Sequence, residues 1–474
     1  MKGILKTIVL LFLLLLFFSC NSFLNSSPSA PNFILILTDD QGWTSTSVQM
    51  SGEIEMSKST YFETPNLERL ANNGMKFSRG YSAAPVCSPS RYSIQFGQTP
   101  ARLNMIRVGM NTEHINHNNA ITIPKILKHI NPNYVTAHYG KWGIDVDPSV
   151  LGYDCDDGPN GNKEGKFTNT KSQWEVEISE DPKKIFSLTK KSIDFIKKQA
   201  DSKTPFFLQI SHYAIHTNIM TNQRAFNKYQ NKKPSDIHNN PGYAGMIENL
   251  DEGLGMILDQ LNELNLLENT YIIYTSDNGA VPTIPARKFY KKGMNFPLSR
   301  GKWDAMEGGI RVPFIISGPG IKKKSESIVP VIGYDLLPTI IDIVNPSFIP
   351  TNNIDGGSLK NILFSQSNSE VIRPYEGLFF HVPYENKIAL KRAHSSVIKN
   401  NFKLIKFRDN DEVRLFNLNS NISETKNIAQ EHPIITKNLE KLLNGYLKDV
   451  NSIKWSEGLN WKNVRINKVN SFYD

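Results

Sequence analysis

Five short apolar runs alternate with amphipathic stretches over the first three quarters of the chain, and this alternation constrains the fold most. The runs cover residues 33–37, 134–137, 206–210, 271–274 and 312–316, and helical spacing of apolar residues fills 66–73, 185–199, 243–264 and 334–343. A continuous apolar run is typical of a parallel strand that is buried on both faces. Strands that alternate with helices predict an α/β domain, with helices around a large central sheet.

The order of predicted strands and helices changes after about residue 365. Residues 394–407 have the pattern of two strands joined by a turn, residues 414–418 that of a third strand, and residues 434–450 that of a closing helix. We therefore predict a large α/β domain over residues 31–365 and a smaller α+β subdomain over residues 366–474.

The N-terminus has the pattern of an export signal. Lys2 and Lys6 precede an apolar run over residues 8–18, which is too short to span a membrane, and the run ends at Ser19-Cys20. This resembles a bacterial lipoprotein signal at 1–20, with Cys20 lipidated and a Ser/Asn/Pro-rich tether at 21–30; the alternative is an ordinary cleavable signal with an incidental cysteine. We expect an exported protein in the periplasm or at the cell surface, anchored by lipid to a membrane such as the outer membrane.

The charge balance suits an anionic partner. The 474 residues contain 54 Lys and Arg against 45 Asp and Glu, a net charge of +9. Nucleic acid, anionic lipid and a sulfated or phosphorylated glycan all fit, as does a basic surface that only keeps the protein soluble. The chain lacks a zinc-finger spacing, an RNP-like motif and a long basic arm, so we expect no nucleic-acid partner. With three cysteines in all, a disulfide framework is not expected either.

Acidic and amide side chains follow two of the apolar runs. Asp39 and Asp40 come after the first run, and Asp277 and Asn278 come after the run at 271–274. Either pair alone could be a turn or a helix cap. If the two strands are neighbours, however, the oxygens converge and repel one another unless a hard divalent cation lies between them. Calcium or magnesium is indicated, and the lack of a His/Cys ligand set argues against zinc.

Basic side chains follow two other runs. Lys141 comes after the run at 134–137, and His212 and His216 come after the run at 206–210. Beside an anion site, a histidine can donate a proton and a lysine can stabilise an oxyanion. A lone histidine would more often be structural.

The segment Cys87-Ser-Pro-Ser-Arg91 has the pattern of a helix start. There the backbone N–H groups and the helix dipole favour an anion, which Arg91 could also reach one turn later. A free cysteine is more often a small buried hydrophobic residue, and a third alternative is a nucleophilic thiolate.

These residues resemble the type I sulfatases, which depend on formylglycine and belong to the alkaline-phosphatase-like superfamily. Cys87-x-Pro-x-Arg91 resembles the family signature in which the cysteine is oxidised to formylglycine. The resemblance runs in order over roughly residues 31–430 and includes the segments at 31–40, 64–71, 299–302, 307–313, 415–418 and 424–429. It implies a large mixed sheet between helices, followed by a smaller C-terminal domain.

The resemblance also implies the residue roles. Calcium would be bound by the modified Cys87 together with Asp39, Asp40, Asp277 and Asn278. Arg91 and Lys141 would hold the formylglycine hydrate. Lys302 would bind the sulfate, and His216 would protonate the departing oxygen. The implied activity is hydrolysis of sulfate from a sulfated poly- or oligosaccharide, after Cys87 has been converted to 3-oxoalanine (formylglycine) by a maturation enzyme. The alternatives are a phosphodiester or phosphonate monoester hydrolase of the same superfamily, and a non-catalytic glycan-binding surface lipoprotein.

One position departs from the family pattern. The family has Gly-Lys-Trp-His, whereas Trp142 is followed here by Gly143. The histidine that assists the formylglycine is therefore missing at its usual place. The candidates to replace it are His114, His117, His138 and His212, unless the subfamily dispenses with it.

Overall fold

The computed structural model describes residues 30–168, 170, 172–284, 292–350, 353–365, 370–384 and 392–454. The predicted signal peptide at 1–20, with Cys20, lies outside the described residues, and so does the tether at 21–30 apart from Ala30. Within the described ranges, no helix has the length and apolar character needed to cross a membrane.

The strands of the large α/β unit, among the described residues, are β1 (Asn32–Thr38), β2 (Gly74–Phe77), β3 (Gly80–Tyr81), β4 (Val135–Gly140), β5 (Cys155–Asp156), β6 (Glu177–Ile178), β7 (Phe206–Ser211), β8 (Met220–Thr221), β9 (Thr270–Ser276), β10 (Phe314–Ser317), β11 (Ser325–Ser327) and β12 (Val331–Ile332). Eight of these strands form a mixed central sheet in the order β11-β2-β10-β9-β1-β7-β4-β5. Strand β1 lies between β9 and β7 and is parallel to both, whereas β10 is antiparallel to β9.

Both faces of the central sheet are buried, which explains the continuous apolar runs. Along β1, Phe33, Leu35 and Leu37 belong to one hydrophobic cluster, while Ile34 and Ile36 belong to another on the opposite face. The α-helices of the described residues are α1 (Pro65–Asn72), α2 (Cys87–Phe96), α3 (Pro100–Leu103), α4 (Ile123–Ile130), α5 (Ile185–Ser202), α6 (Gln223–Asn231), α7 (Pro241–Glu263), α8 (Glu307–Ile310), α9 (Leu336–Val344), α10 (Lys360–Ser365) and α11 (Pro433–Asp449). The predicted α/β architecture with a mixed sheet is confirmed.

A separate antiparallel sheet follows near the C-terminus. Its strands are β13 (Leu378–Val382), β14 (His394–Lys399), β15 (Phe402–Phe407) and β16 (Val413–Asn417), paired in that order. Helix α11 covers one face, where Leu443 and Tyr446 pack in one cluster with Val397, Leu404 and Leu415. This confirms a small α+β unit, while the division between residues 365 and 366 stays a prediction.

Candidate active site at the carboxyl ends of the strands

Neighbouring parallel strands bring the two acidic pairs together. Thr38 at the end of β1 is in register with Ser276 at the end of β9, so Asp39 and Asp40 lie beside Asp277 and Asn278. The backbone N–H of Asp40 donates to Asp277 Oδ1 at 3.2 Å, and Asn278 Nδ2 donates to Asp40 Oδ1 at 2.7 Å. All four side chains are buried.

Cys87 completes the group from a different element. It is the first residue of α2, after an extended Val86, and its side chain is buried. The Cys87 Sγ atom and one carboxylate oxygen from each of Asp39 and Asp277 lie within 4.8 Å of one another. The predicted helix start at Cys87 is confirmed, and it directs this side chain toward the acidic pairs.

Two buried oxygens of the site lack a hydrogen-bond donor among the described residues. They are Asp39 Oδ1 and Asn278 Oδ1. Leaving a buried polar group unsatisfied costs about 1–3 kcal/mol, and more for a charged group. A carboxylate and an amide oxygen are ligands that hard divalent cations prefer, so the donor set fits calcium or magnesium.

Three cations surround the acidic residues. Arg91 Nε lies 2.9 Å from Asp277 Oδ2, Lys302 Nζ lies 2.8 Å from Asp40 Oδ2, and Lys141 Nζ pairs with Asp39 Oδ2. Three carboxylates therefore balance three cations in the protein alone. A bound divalent cation would leave an excess of two positive charges, which suits an anionic substrate group.

The pKa shifts follow from burial and from these charges. Burial, with the charge of Asp39, raises the pKa of Asp277 to about 6. Burial by itself would also raise the pKa of Asp39, but the positive charges of Lys141 and the other cations outweigh this effect and hold the pKa well below its usual range. For Cys87, burial raises the pKa above that of an ordinary thiol. Burial by itself therefore disfavours the thiolate form of an unmodified Cys87.

His216 lies on the loop after β7, at the edge of the cluster. Its Nε2 is 3.7 Å from Asp40 Oδ2, and its Nδ1 is 2.6 Å from the carbonyl oxygen of Thr217. Burial and the charge of Lys302 lower the pKa of His216 to about 4. The ring is thus held with one nitrogen toward the backbone and the other toward the site.

The backbone of Gly143 packs against Arg91. Gly143 has a φ of +69°, and a Cβ atom there would lie 3.1 Å from Arg91 Cδ. The backbone N–H groups of Trp142 and Gly143 both donate to the carbonyl oxygen of Asn160. A histidine at this position would therefore be strained at this φ, and Arg91, which contacts Asp277, would have to shift by a few tenths of an ångström.

Three of the four candidate replacement histidines contact groups outside the acidic cluster. His138 Nε2 lies 3.0 Å from Ser211 Oγ, and its ring packs against Trp142. His114 and His117 contact the Leu103 carbonyl and the Tyr92 hydroxyl. Burial lowers the pKa of His212 to about 4. Among the contacts of the described residues, none joins these four rings to Cys87.

Sequence reasoning missed Lys183 and Thr217 beside His216. Lys183 Nζ donates to the carbonyl oxygen of Thr217, the same oxygen that His216 Nδ1 contacts. Lys183 lies in the run Asp181-Pro-Lys-Lys184, which has the composition of an exposed turn. No signal in the sequence distinguishes it from the exposed lysines of the same region.

Comparison with known proteins agrees with this geometry. Residues 31–346 match the Sulfatase family, and residues 302–451 match the family described as N-sulphoglucosamine sulphohydrolase, C-terminal. N-acetylgalactosamine-6-sulfatase of Canis lupus familiaris is 31% identical over 328 residues, which are 62% of this chain and 58% of that protein. The chain thus spans less than two thirds of that relative.

Two further comparisons cover more of the chain. A protein of Formosa agariphila named Sulfatase is 26% identical over 85% of both chains. The crystal structure of Ps i-CgsB in complex with k-i-k-neocarrahexaose has a TM-score of 0.72 at 24% identity and covers 91% of this chain and 97% of that one, a likeness that shows the fold alone. With the family match over residues 31–346, these findings establish that the chain belongs to the sulfatase family, within the alkaline-phosphatase-like superfamily.

Proposed function

We propose that this protein hydrolyses sulfate esters of a sulfated poly- or oligosaccharide, with Cys87 converted to formylglycine and a calcium ion bound beside it. The observation that carries the proposal is the convergence of Cys87 Sγ with the Asp39 and Asp277 carboxylates within 4.8 Å, among three buried cations. Family membership supports the reaction class.

The metal site would be formed by oxygen atoms alone. Asp39, Asp40, Asp277 and Asn278 would hold the ion together with the modified residue 87, and the two unpartnered oxygens support this assignment. We favour calcium because carboxylate and amide oxygens without a His/Cys ligand set suit a hard cation that accepts flexible coordination. Such an ion would neutralise negative charge on the sulfate group.

The modified side chain would supply a hydroxyl nucleophile and a second hydroxyl for sulfate release. Arg91 and Lys141 are placed to orient residue 87, since Arg91 Nη1 donates to the Lys141 carbonyl and links the two residues. Lys302 Nζ, which is buried against Asp40, would bind a sulfuryl oxygen. His216 Nε2 faces the same carboxylate, and when both ring nitrogens are protonated it would give the Nε2 proton to the departing alcohol oxygen while Nδ1 keeps its own.

The substrate class follows from the relatives and from the charge of the chain. The relative from Canis lupus familiaris is named for a sulfated amino sugar, and a net charge of +9 suits an anionic glycan. We further propose that a formylglycine-generating enzyme matures Cys87, and that Cys20 anchors the exported protein by lipid in the periplasm or at the cell surface. The catalytic domain would cover residues 31–365 and the C-terminal subdomain residues 366–474.

The decisive experiment joins mass spectrometry to an assay. The protein is produced with a formylglycine-generating enzyme, the peptide containing Cys87 is analysed for the aldehyde, and hydrolysis of an aryl sulfate is compared with that of an aryl phosphate diester. We expect conversion, preference for the sulfate ester, and no turnover by Cys87→Ala. Loss of activity on chelation that Ca²⁺ restores better than Mg²⁺ would support calcium. An unmodified thiol in protein from the native source would refute the mechanism.

A further inference from the structure

Lys183 is a buried lysine close to the site. It lies in the short turn Pro182–Lys184 directly before α5, with a φ of +53°, and its side chain is 0% exposed. Lysine is almost never fully buried unless its charge is paired. Here no ion pair joins it to a carboxylate of the described residues, so its retention in the interior needs another explanation.

The ammonium group contacts a backbone carbonyl and an aromatic ring of the described residues. Lys183 Nζ lies 3.2 Å from the carbonyl oxygen of Thr217 and 4.1 Å from the centroid of the Phe167 ring. Burial lowers the pKa of Lys183 to about 7, although the charge of Asp39 acts in the opposite direction. A methionine would fill the same space without that cost. Stability alone therefore does not account for a lysine here.

The Thr217 carbonyl connects Lys183 to His216. A carbonyl oxygen only accepts hydrogen bonds, so Nδ1 of His216, at 2.6 Å, must carry the proton that it donates there. The second nitrogen, Nε2, faces Asp40 Oδ2 at 3.7 Å, and it is the nitrogen that takes up and releases the transferred proton while Nδ1 stays protonated. The orientation of the ring thus depends on the position of one carbonyl group, which Lys183 also holds.

We propose that Lys183 is a positioning residue for His216, in which the ammonium group fixes the Thr217 carbonyl and thereby the tautomer and orientation of the imidazole. The inference rests on the proposed function, in which His216 protonates the leaving oxygen. Lys183 itself does not touch substrate, since its side chain has no exposed surface.

The test compares Lys183→Met with Lys190→Met, a matched control because Lys190 is an exposed lysine on α5, the helix that directly follows Lys183. Both variants are matured and assayed with 4-nitrophenyl sulfate, whose leaving group is good, and with phenyl sulfate, whose leaving group is poorer. General acid assistance is worth about 100-fold to 10,000-fold. Partial misalignment of the His216 ring in Lys183→Met should therefore lower kcat on phenyl sulfate by about 10-fold to 100-fold.

The expected pattern separates positioning from a structural role. For Lys183→Met we expect a much smaller loss on 4-nitrophenyl sulfate, a nearly unchanged KM, and a thermal midpoint equal to or above that of the wild type. Lys190→Met should match the wild type throughout. Equal losses on both esters, an unchanged kcat, or a fall in thermal midpoint that parallels the loss of activity would each overturn the proposal.

A second measurement keeps the inference independent of the proposed function. If the wild type hydrolyses no sulfate ester, the proposed function fails, and the ring of His216 is then examined in the unmodified protein by its ¹⁵N chemical shifts, identified by their loss in His216→Gln. We expect the Nδ1-protonated tautomer in the wild type and a mixture of tautomers in Lys183→Met. Identical tautomers in both proteins would refute the positioning role.

Discussion

Replacing Lys403 tests how the small C-terminal sheet supports the active site. Lys403 on β15 is fully buried, and its Nζ lies 3.0 Å from Glu307 Oε1 and 2.8 Å from Glu424 Oε1. Glu424 Oε2 in turn accepts a hydrogen bond from the Glu307 backbone N–H at 2.7 Å and one from the Ser299 hydroxyl. Residues 299–307 flank Lys302, so this buried cluster holds the segment that carries the proposed sulfate ligand.

The contacts of Lys403 determine how much free energy of unfolding Lys403→Met should lose. The change leaves two carboxylates without their shared ammonium group, at 0% side-chain exposure. Removing one partner of a buried ion pair costs about 3–5 kcal/mol because the remaining charge is uncompensated. Arg311 Nη1, 3.3 Å from Glu307 Oε2, still compensates one of them. Burial already raises the pKa of Glu424, so we expect this carboxyl to take up a proton in the variant. Because protonation removes the uncompensated charge, the loss in free energy of unfolding should become smaller as the pH falls.

Urea unfolding monitored by tryptophan fluorescence measures this loss. The double variant Lys403→Met, Glu424→Gln removes the uncompensated charge and should be more stable than Lys403→Met alone. Lys406→Met is the matched control on the same strand, because Lys406 pairs with the partly exposed Glu440 at 2.8 Å. The loss in free energy of unfolding for Lys406→Met should stay below about 1 kcal/mol. Equal losses for the two single variants, or a double variant less stable than Lys403→Met, would refute the reasoning.

Three further predictions concern the pH dependence of stability and the departure from the family pattern at Gly143. Burial lowers the pKa of His381 to about 3, below the unfolded value near 6.5, so its stabilising contribution is complete above pH 6.5 and is lost as the pH falls. When the pH is lowered from 6.5 to 5.5, the free energy of unfolding in urea should fall by about 1 kcal/mol less in His381→Gln than in the wild type, and an equal fall in both proteins would contradict this. Gly143→Ala should lower the free energy of unfolding in urea by about 1–2 kcal/mol, because residue 143 has a φ of +69° and the added Cβ would lie 3.1 Å from Arg91 Cδ. For the same reason Gly143→His should lower activity toward an aryl sulfate, and a gain would show that Arg91 tolerates the histidine.

Local patterns in the sequence were sufficient to predict the layers of the fold and to place the candidate site residues at the ends of strands. The run over residues 33–37 is apolar throughout because β1 is buried on both faces, and residues 39 and 40 follow it where the strand ends. A helix start at Cys87 is likewise a local property, set by residues 87–91. These features depend on neighbours in the chain, which a sequence displays directly.

The pairing of distant side chains was decided only by the tertiary structure. The sequence does not show that Lys302 pairs with Asp40, that Arg91 occupies the space beside Gly143, or that Lys183 shares a carbonyl group with His216. Each contact joins elements that are separated along the chain, and it forms only after strands and helices have packed. Because burial removes water from these charges, packing also determines their pKa values, which no local pattern of residues contains.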